Sequence, residues 1–152
     1  MAPPSNHTFL FPCDTVWGIC APISEENCKK IIALKKRPDN MGFVVLIKSF
    51  LDLKTLCAPL TKDIQAILEQ YWPGPITFIL PKHPSIHPLV TGGKETIAIR
   101  YPNHTQLQEL MTTFNTALLS TSANLHGQDT PKQWNEISTD IRDKVGESYF
   151  TN

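Results

Sequence analysis

The sequence predicts a layered α/β domain. Short apolar runs rich in β-branched and aromatic residues alternate along the chain with segments whose apolar residues recur every three or four positions. Such alternation is typical of strands and helices packed in layers, rather than of a helical bundle or a β-sandwich. The 152 residues contain no internal repeat and no long linker, so we predict one domain over 1–152 in which 1–7 form a loose terminus.

The first predicted elements are a strand, a turn and a helix. Thr8–Phe11 is a short apolar run that stops at Pro12, which predicts a buried strand. Gly18, a little further on, predicts a tight turn. Ser24 is a good N-cap and two glutamates follow it, so a helix is expected to begin there and to run to about Lys35.

The middle of the chain is predicted to contain a strand, two helices and a second strand. A continuous β-branched run over 42–47 is typical of a strand that is covered on both faces. A short helix is expected over 51–56, and Thr61 caps a clearer helix whose apolar residues form one stripe. A rigid Trp-Pro-Gly-Pro corner at 72–75 then leads into a strand over 76–80.

The last part of the chain continues the same alternation. An irregular, proline-interrupted segment over 83–91 is followed by a predicted strand over 96–100 and a helix from Thr105. A strand over 117–120 then runs into a polar turn at 121–124, and a final helix begins at Thr130-Pro131. In that helix Thr130 would be the cap and Pro131 the first helical residue, where a missing N–H loses no hydrogen bond.

Bulk composition excludes several classes of protein. Fourteen basic residues balance fourteen acidic ones, so net charge does not drive this chain onto nucleic acid, and any anion site must be a local cluster. The four cysteines show no Cys-x-x-Cys spacing, which argues against a structural zinc site. The sequence has no secretory signal and no apolar run of about 18 residues. We therefore expect a cytoplasmic protein with reduced cysteines and no membrane association.

Common nucleotide and metal motifs are absent or incomplete. Gly92-Gly93-Lys94 resembles the end of a P-loop, but Pro88 stands where the first glycine belongs and Glu95 replaces the serine or threonine. The sequence contains no G-x-G-x-x-G motif. His83 and His87 are four residues apart, yet prolines prevent the helix that would bring both to one metal. We therefore predict no metal ligands in this chain.

Basic residues close the first predicted helix. Lys35 continues the apolar face of that helix, seven residues after Cys28, and Pro38 disfavours further helix. One interpretation is that Lys35 and Arg37 only complement the negative end of the helix dipole. The other is that both side chains face a ligand cavity, in company with Ser122 and Asn124, while the intervening lysine points to solvent.

Two predicted strands end in polar side chains. Arg100 ends a strand whose face is otherwise apolar, so it requires an anionic partner, either a structural carboxylate or a ligand carboxylate or phosphate. Ser122 and Asn124 follow an apolar strand, and open α/β sheets place their ligand crevices at the carboxyl ends of strands. Short hydroxyl and amide side chains there are suited to phosphate or ribose oxygens, although Ser122 can equally be a simple turn hydroxyl.

Five motifs occur in one order along the chain. They are Pro12-Cys13-Asp14-Thr15-Val16-Trp17-Gly18, Leu34-Lys35-Lys36-Arg37-Pro38, Trp72-Pro73-Gly74-Pro75-Ile76-Thr77, Ile97-Ala98-Ile99-Arg100 and Ser120-Thr121-Ser122-Ala123-Asn124-Leu125-His126-Gly127. Together they resemble the YrdC-like family of threonylcarbamoyl-adenylate synthases over about 8–130, which would be the core of the domain. The resemblance implies a twisted mixed sheet, flanked by helices, with an open and positively charged cavity.

The resemblance also implies an activity. Members of this family join L-threonine, bicarbonate or CO2, and ATP into threonylcarbamoyl-AMP, release pyrophosphate, and use Mg2+ with ATP. Other proteins then transfer the threonylcarbamoyl group to an adenosine of tRNA in the t6A modification. On this resemblance we expect a nucleotidyltransferase, with tRNA and those transfer proteins as further candidate partners.

The matching motifs imply roles for individual residues. The family's ATP-contacting positions correspond here to Lys35, Arg37, Asn40, Thr96, Ser122, Asn124 and Thr130. Its threonine-contacting positions correspond to Thr15 and Arg100, with the guanidinium holding the amino-acid carboxylate. Lys35 and Arg37 are the candidate catalytic residues, since adenylyl transfer depends on positioning and on neutralising the triphosphate.

The sequence is also compatible with two alternative functions. Five cations fall within nine residues, over 29–37, and would suit an RNA-binding module. A weakly active relative that binds ATP or threonine and acts through a partner is the other alternative. It is suggested by the absence of the family's closing C-terminal segment. Cys13 and Leu46 stand where many members have threonine and histidine, which leaves the details of the threonine pocket open.

Overall fold

The computed structural model describes residues 8–12, 16–145 and 147–148. Within them, seven strands form one mixed sheet in the order β4-β5-β3-β6-β2-β1-β7. The strands are β1 (Phe9–Pro12), β2 (Trp17–Pro22), β3 (Val44–Leu46), β4 (Thr77–Pro81), β5 (Thr96–Arg100), β6 (Leu118–Ser122) and β7 (Glu147–Ser148). The pairs β3–β5 and β1–β7 are parallel, and the remaining pairs are antiparallel. The predicted α/β fold with a mixed sheet is confirmed.

Helices accompany this sheet throughout the described part of the chain. They are α1 (Glu25–Lys35), α2 (Leu53–Leu56), α3 (Lys62–Tyr71), α4 (Pro88–Thr91), α5 (Thr105–Phe114) and α6 (Thr139–Arg142), together with 3-10 turns at Phe50–Asp52 and Trp134–Glu136. None of the described helices has the length and apolar character needed to cross a membrane.

Both faces of the sheet bury apolar side chains. The larger cluster joins one face to α1 and includes Leu10, Ile19, Ile31, Val45, Ile99 and Leu119. The smaller cluster joins the other face to α5 and includes Phe9, Phe11, Leu46, Leu107, Met111 and Leu118. Because the inner strands are covered on both sides, they read in the sequence as continuous apolar runs.

Helix α1 lies where its local signals predict it. The Ser24 hydroxyl accepts a hydrogen bond from the Asn27 N–H at 3.0 Å, and two glutamates occupy the first turn. At the other end Lys36 adopts a left-handed conformation with φ 55°, which stops the helix after Lys35. The predicted extent of this helix is therefore confirmed.

The tight turn predicted at Gly18 is wrong, because Gly18 lies inside strand β2. It pairs with Phe11 of β1 on one side and with Ser122 of β6 on the other. Neighbouring strands on both sides supply the ladder hydrogen bonds, and this tertiary pairing outweighs the low β-propensity of glycine. Strand β6 also extends to Ser122, so the first half of the predicted polar turn at 121–124 is strand.

The final helix does not begin at Thr130-Pro131, as the cap-plus-proline signal predicted. The carbonyl of Pro131 accepts a hydrogen bond from the Trp17 N–H at 2.8 Å, which ties this segment to the start of β2. Helix α6 follows only later, where the Ser138 hydroxyl accepts from the Asp140 N–H. The long-range hydrogen bond between Trp17 and Pro131 thus outweighs the local helix-forming preference of Thr130-Pro131.

The segment over 83–91 is less irregular than predicted, because its end forms helix α4. His87 caps this helix through Nδ1, which accepts a hydrogen bond from the Leu89 N–H at 3.1 Å. Pro88 occupies the first helical position, where its missing N–H is harmless.

Gly92 ends α4 and touches the loop that follows α1. Its φ is +66°, and an added Cβ would lie 2.5 Å from the carbonyl oxygen of Asn40. We expect Gly92→Ala to lower the free energy of unfolding by about 2–4 kcal/mol, because left-handed strain and backbone overlap add. Thermal unfolding should show a loss of roughly 4–15 °C in Tm.

Gly93→Ala is the matched control for this prediction. Gly93 also has a positive φ, +81°, but an added Cβ would meet nothing within 4 Å. Gly93→Ala should therefore lower the free energy of unfolding only by the left-handed strain of alanine, about 1–2 kcal/mol. Equal losses in the two variants would contradict a role for the close approach between Gly92 and Asn40.

Candidate functional site

Lys35 lies buried where α1 meets the carboxyl end of β6. It is only 4% exposed. Its Nζ donates to Thr121 Oγ1 at 2.9 Å and to the Ser122 carbonyl at 2.8 Å, while Ser122 Oγ and Asn124 Oδ1 both lie at 3.4 Å. The predicted proximity of Lys35 to Ser122 and Asn124 is confirmed, and capping of a helix dipole at the surface does not account for this burial.

The charge of Lys35 is poorly compensated in this position. Burial, and to a lesser extent the positive charge of Arg37, lower the pKa of Lys35 from 10.5 to about 8. The four oxygens within reach of Nζ belong to hydroxyl, amide and carbonyl groups, and none carries a charge. An anion bound next to Nζ would stabilise the ammonium form and raise this pKa.

Arg37 is buried a short distance along the chain, at 8% exposure. Its Nη2 donates to the Gly42 carbonyl at 2.6 Å, and its guanidinium carbon lies 4.2 Å from the centre of the Phe43 ring. Unlike Lys35, Arg37 makes no hydrogen bond to Ser122 or Asn124 in the described part of the chain, so only the Lys35 half of the predicted grouping is seen.

Within the described residues, Arg37 Nε is buried and has no hydrogen-bond acceptor. Burial also lowers the pKa of Arg37. Arg142 Nε is likewise buried without an acceptor in the part of the chain that the structure describes, so this feature alone does not single out Arg37 as an anion-binding residue.

The loop after β6 is attached to the end of α1. Ser122 Oγ donates to Asn124 Oδ1, and Asn124 Nδ2 donates to the Gln128 carbonyl at 2.7 Å. The His126 N–H donates to the backbone carbonyl of Lys35 at 3.0 Å. The Ser-x-Asn segment is thus held in one conformation beside the Lys35 ammonium group.

Arg100 lies on a part of the sheet that α5 leaves uncovered. On this face Ile79 of the edge strand β4 is 63% exposed, and Arg100 is half-buried. Arg100 Nε donates to Thr77 Oγ1 at 3.1 Å, directly across the β4–β5 pair. Arg100 also takes part in a further interaction within the protein.

Thr96 lies at the opposite end of β5 from Arg100, on the same face. The prediction that Arg100 shares an otherwise apolar face is therefore wrong, because alternate residues of a strand share a face and the buried Ile97 and Ile99 lie on the other one.

Val44 of β3 pairs with Ala98 of β5 on one side and with Ser120 of β6 on the other. Thr96 lies two residues from Ala98, and Ser122 lies two residues from Ser120 in the same direction. Thr96 and Ser122 are therefore at the same end of the sheet. Four residues of strand separate Thr96 from Arg100 by about 13 Å. The structure therefore brings Thr96 toward the Ser-x-Asn end and keeps Arg100 at the other.

The remaining predicted site residues are more scattered. Asn40 is exposed in the loop between α1 and β3, where its backbone approaches Gly92. Thr130 is exposed, next to the Pro131 carbonyl that pairs with β2. Thr15 lies outside the described residues.

The cations over 29–37 do not form one basic surface. Lys29 and Lys30 are paired with acids one turn earlier in α1, at 3.7 and 3.8 Å. Lys36 points to solvent as predicted, 3.9 Å from Asp140. Lys35 and Arg37 are buried. With two of the five cations buried and the other three near carboxylates, this segment does not form the continuous cationic surface that binding of RNA phosphates would need.

A separate cavity of 460 Å³ lies between α2 and α3. Its lining is mainly apolar and consists of Phe50, Leu53, Lys54, Cys57, Ala58, Pro59, Leu60, Gln65, Leu68, Glu69 and His83. It contains none of the predicted site residues, and an apolar wall is unsuited to a triphosphate.

Two contacts of the site were missed in the sequence. Thr121 is the closest side-chain partner of Lys35, and Phe43 stacks on Arg37. The three hydroxyl residues that end β6, Ser120-Thr121-Ser122, were a usable signal for Thr121. Phe43 carried no such signal, because an aromatic residue at the start of a buried run is ordinary core.

The fold and these contacts define an α/β protein in which a buried cation meets polar side chains at the carboxyl end of a strand, an arrangement suited to an anionic ligand. Comparison with known proteins identifies the lineage. The Sua5/YciO/YrdC family model, described as "Telomere recombination", matches residues 5–148. The chain belongs to this family, as its motifs predicted.

Curated relatives of the chain are threonylcarbamoyl-AMP synthases. The enzyme of Pyrococcus abyssi is 31% identical over 136 residues, which make up 89% of this chain and 40% of that protein. The enzyme of Chromobacterium violaceum is 33% identical over 136 residues, 89% of this chain and 70% of that protein. The chain therefore spans less than half of one relative and about two thirds of the other.

Solved structures agree with this assignment. Pyrococcus abyssi Sua5 complexed with L-threonine superposes with a TM-score of 0.87 at 28% identity, covering 94% of this chain and 42% of that one. Escherichia coli YciO superposes with a TM-score of 0.78 at 21% identity, covering 93% and 70%. At 21% identity, the superposition with YciO supports a shared fold and no more than that.

Proposed function

We propose that this protein is an L-threonylcarbamoyladenylate synthase that acts in the t6A modification of tRNA in the cytoplasm. The observation that carries the proposal is the buried Lys35 ammonium group, whose hydrogen-bond partners among the described residues are neutral oxygens of Thr121, Ser122 and Asn124. The threonylcarbamoyl-AMP synthases among its relatives support the same reaction.

The reaction needs positioning and charge neutralisation rather than a covalent enzyme intermediate. The amine of L-threonine attacks CO2, a C–N bond forms, and loss of a proton leaves a carbamate anion. A carbamate oxygen then attacks the α-phosphorus of ATP, and the bond to the β-phosphate oxygen breaks, which releases pyrophosphate. Negative charge grows on the leaving group, so fixed cations nearby lower the barrier.

Lys35 and Arg37 are the proposed catalytic cations. Lys35 Nζ would contact a phosphate oxygen while its hydroxyl and carbonyl partners keep the side chain in place. Arg37 has a buried donor without an acceptor in the described residues, and a guanidinium suits bidentate phosphate contact. Ser122 and Asn124, beside Lys35, would contact the nucleotide.

Three further residues are proposed at ATP and two at threonine. Thr96 is at the same end of the sheet as Ser122, whereas Asn40 and Thr130 are exposed on the adjoining loops. Arg100 would hold the carboxylate of threonine, and Thr15, outside the described residues, would complete that subsite.

Magnesium enters this proposal only as the counter-ion of ATP. The described residues contain no group of three or more His, Cys, Asp and Glu side chains that could hold a metal ion. In this proposal the ion arrives with ATP as part of the nucleotide substrate. Threonylcarbamoyl-AMP would pass to the proteins that transfer its threonylcarbamoyl group to tRNA.

Threonine-dependent pyrophosphate release tests the proposed function. The chain is incubated with Mg2+-ATP, bicarbonate and L-threonine, and pyrophosphate is measured against reactions that lack threonine. We expect release that requires all three substrates, with threonylcarbamoyl-AMP as co-product. Release that is equal without threonine would overturn the proposal, and tight ATP binding without release would favour a weakly active relative.

The affinity for nucleotide should fall as the pH rises above 8. In the unliganded protein the pKa of Lys35 is about 8, so its ammonium form predominates below that pH and attracts phosphate. Above it, binding requires uptake of a proton, and Kd should rise by up to about tenfold per pH unit. Calorimetric titration with a non-hydrolysable ATP analogue between pH 7.5 and pH 9.5 measures the slope. A flat profile in the unmodified protein would contradict the prediction, and Lys35→Met should be flat.

A further inference from the structure

Thr77 and Arg100 form a cross-strand pair on the open face of the sheet. They lie directly opposite each other in the antiparallel β4–β5 ladder, and Arg100 Nε donates to Thr77 Oγ1 at 3.1 Å. Both residues are half-buried. Thr77 closes the Trp-Pro-Gly-Pro-Ile-Thr motif, but neither the sequence motifs nor the proposed reaction gives it a role.

A hydrogen bond to Nε controls the orientation of a guanidinium. Nε joins the flexible side chain to the planar fork, so fixing Nε–H fixes the plane in which the two terminal nitrogens lie. Threonine is a suitable anchor because its branched Cβ restricts χ1 in a strand. A carboxylate is bound best when the fork is already aligned with its two oxygens.

We propose that Thr77 is a positioning residue that orients the Arg100 guanidinium for the carboxylate of the amino-acid substrate. The proposal rests on the proposed function, which makes Arg100 the carboxylate partner. Thr77 acts through Arg100 and need not touch the substrate.

Two variants of Thr77 separate a positioning role from a merely structural one. Thr77→Val keeps the shape and the β-propensity but removes the acceptor, whereas Thr77→Ser keeps the hydroxyl. We expect Thr77→Val to raise the KM for L-threonine about tenfold, with kcat and the KM for ATP changed less than about twofold. Thr77→Ser should restore most of the threonine affinity.

The Arg100 Nε–H resonance in a 15N-labelled protein gives a readout that does not depend on activity. The signal is assigned by its absence in Arg100→Lys. It should be protected from solvent exchange in the unmodified protein and in Thr77→Ser, and should lose that protection in Thr77→Val.

The outcomes distinguish the two proposals. An unchanged threonine KM in Thr77→Val, an equal rise in the KM for ATP, or a Thr77→Ser variant as impaired as Thr77→Val would each overturn the positioning role. If the unmodified protein binds L-threonine in calorimetry but releases no pyrophosphate, the proposed function fails. In that case the positioning role is tested by the Kd for L-threonine of Thr77→Val and Thr77→Ser, measured by calorimetry, in place of KM. No threonine binding at all would overturn both.

Discussion

Replacing Lys35 with methionine is expected to lower threonine-dependent pyrophosphate release by at least about 100-fold. Methionine fills nearly the same volume and keeps the helical propensity, but it carries no charge. The loss would fall mainly on kcat if Nζ neutralises charge that develops in the transition state, and mainly on the KM for ATP if it only binds the nucleotide. Steady-state kinetics with varied ATP separates these two contributions.

Unfolding is not expected to explain the loss of activity in Lys35→Met. Burial of the ammonium lowers the pKa of Lys35, which means that the fold stabilises its charged form less well than water does. Removing that charge should leave Tm within about 4 °C of the unmodified protein. Lys36→Met is the matched control, since Lys36 is the exposed neighbour with one distant ion pair. A comparable loss in both variants would count against a specific role for Lys35.

Replacing Arg100 with lysine is expected to raise the KM for L-threonine by about 100-fold, with the KM for ATP nearly unchanged. Lysine keeps the positive charge but cannot form two parallel hydrogen bonds to a carboxylate, and it has no Nε–H to donate to Thr77 Oγ1. Thr96 lies about 13 Å away along the strand, so the nucleotide end should be little affected.

The control for Arg100→Lys is Arg142→Lys, which removes a guanidinium that lies over Trp134, away from the open face. This control should leave both KM values unchanged. A proportional rise in the KM values for threonine and ATP in Arg100→Lys would indicate a general disturbance of the sheet. Circular dichroism of both variants shows whether the fold is intact.

The elements that could be predicted from sequence are those whose signals are local. Helix α1 has its N-cap and acidic residues in its first turn, and it ends at a left-handed residue one position after its last helical residue. The residues of β2 carry no such signal, since glycine and proline weaken its strand character and only pairing with β1 and β6 makes it a strand. The helix signal at Thr130 was equally local and was overridden by the hydrogen bond between Pro131 and Trp17.

The candidate site could be predicted only in part, for the same reason. The resemblance of the motifs named Lys35, Ser122 and Asn124, but the hydrogen bond from Lys35 to the Ser122 carbonyl spans 87 residues of chain. No periodicity in either segment implies that contact. The role of Thr121 as an acceptor depends on where β6 ends relative to α1, which is decided by the register of the whole sheet.

Lys35 contacts the loop after β6 at two points, since its backbone carbonyl accepts from the His126 N–H and its Nζ lies 3.4 Å from Asn124 Oδ1. Fraying of the last turn of α1 would therefore also release the loop, and the two segments should open as one cooperative unit. The His126 amide would exchange with deuterium only through such openings. A ligand that tightens either segment would slow exchange in both, so nucleotide binding should be visible at an amide that the nucleotide never touches.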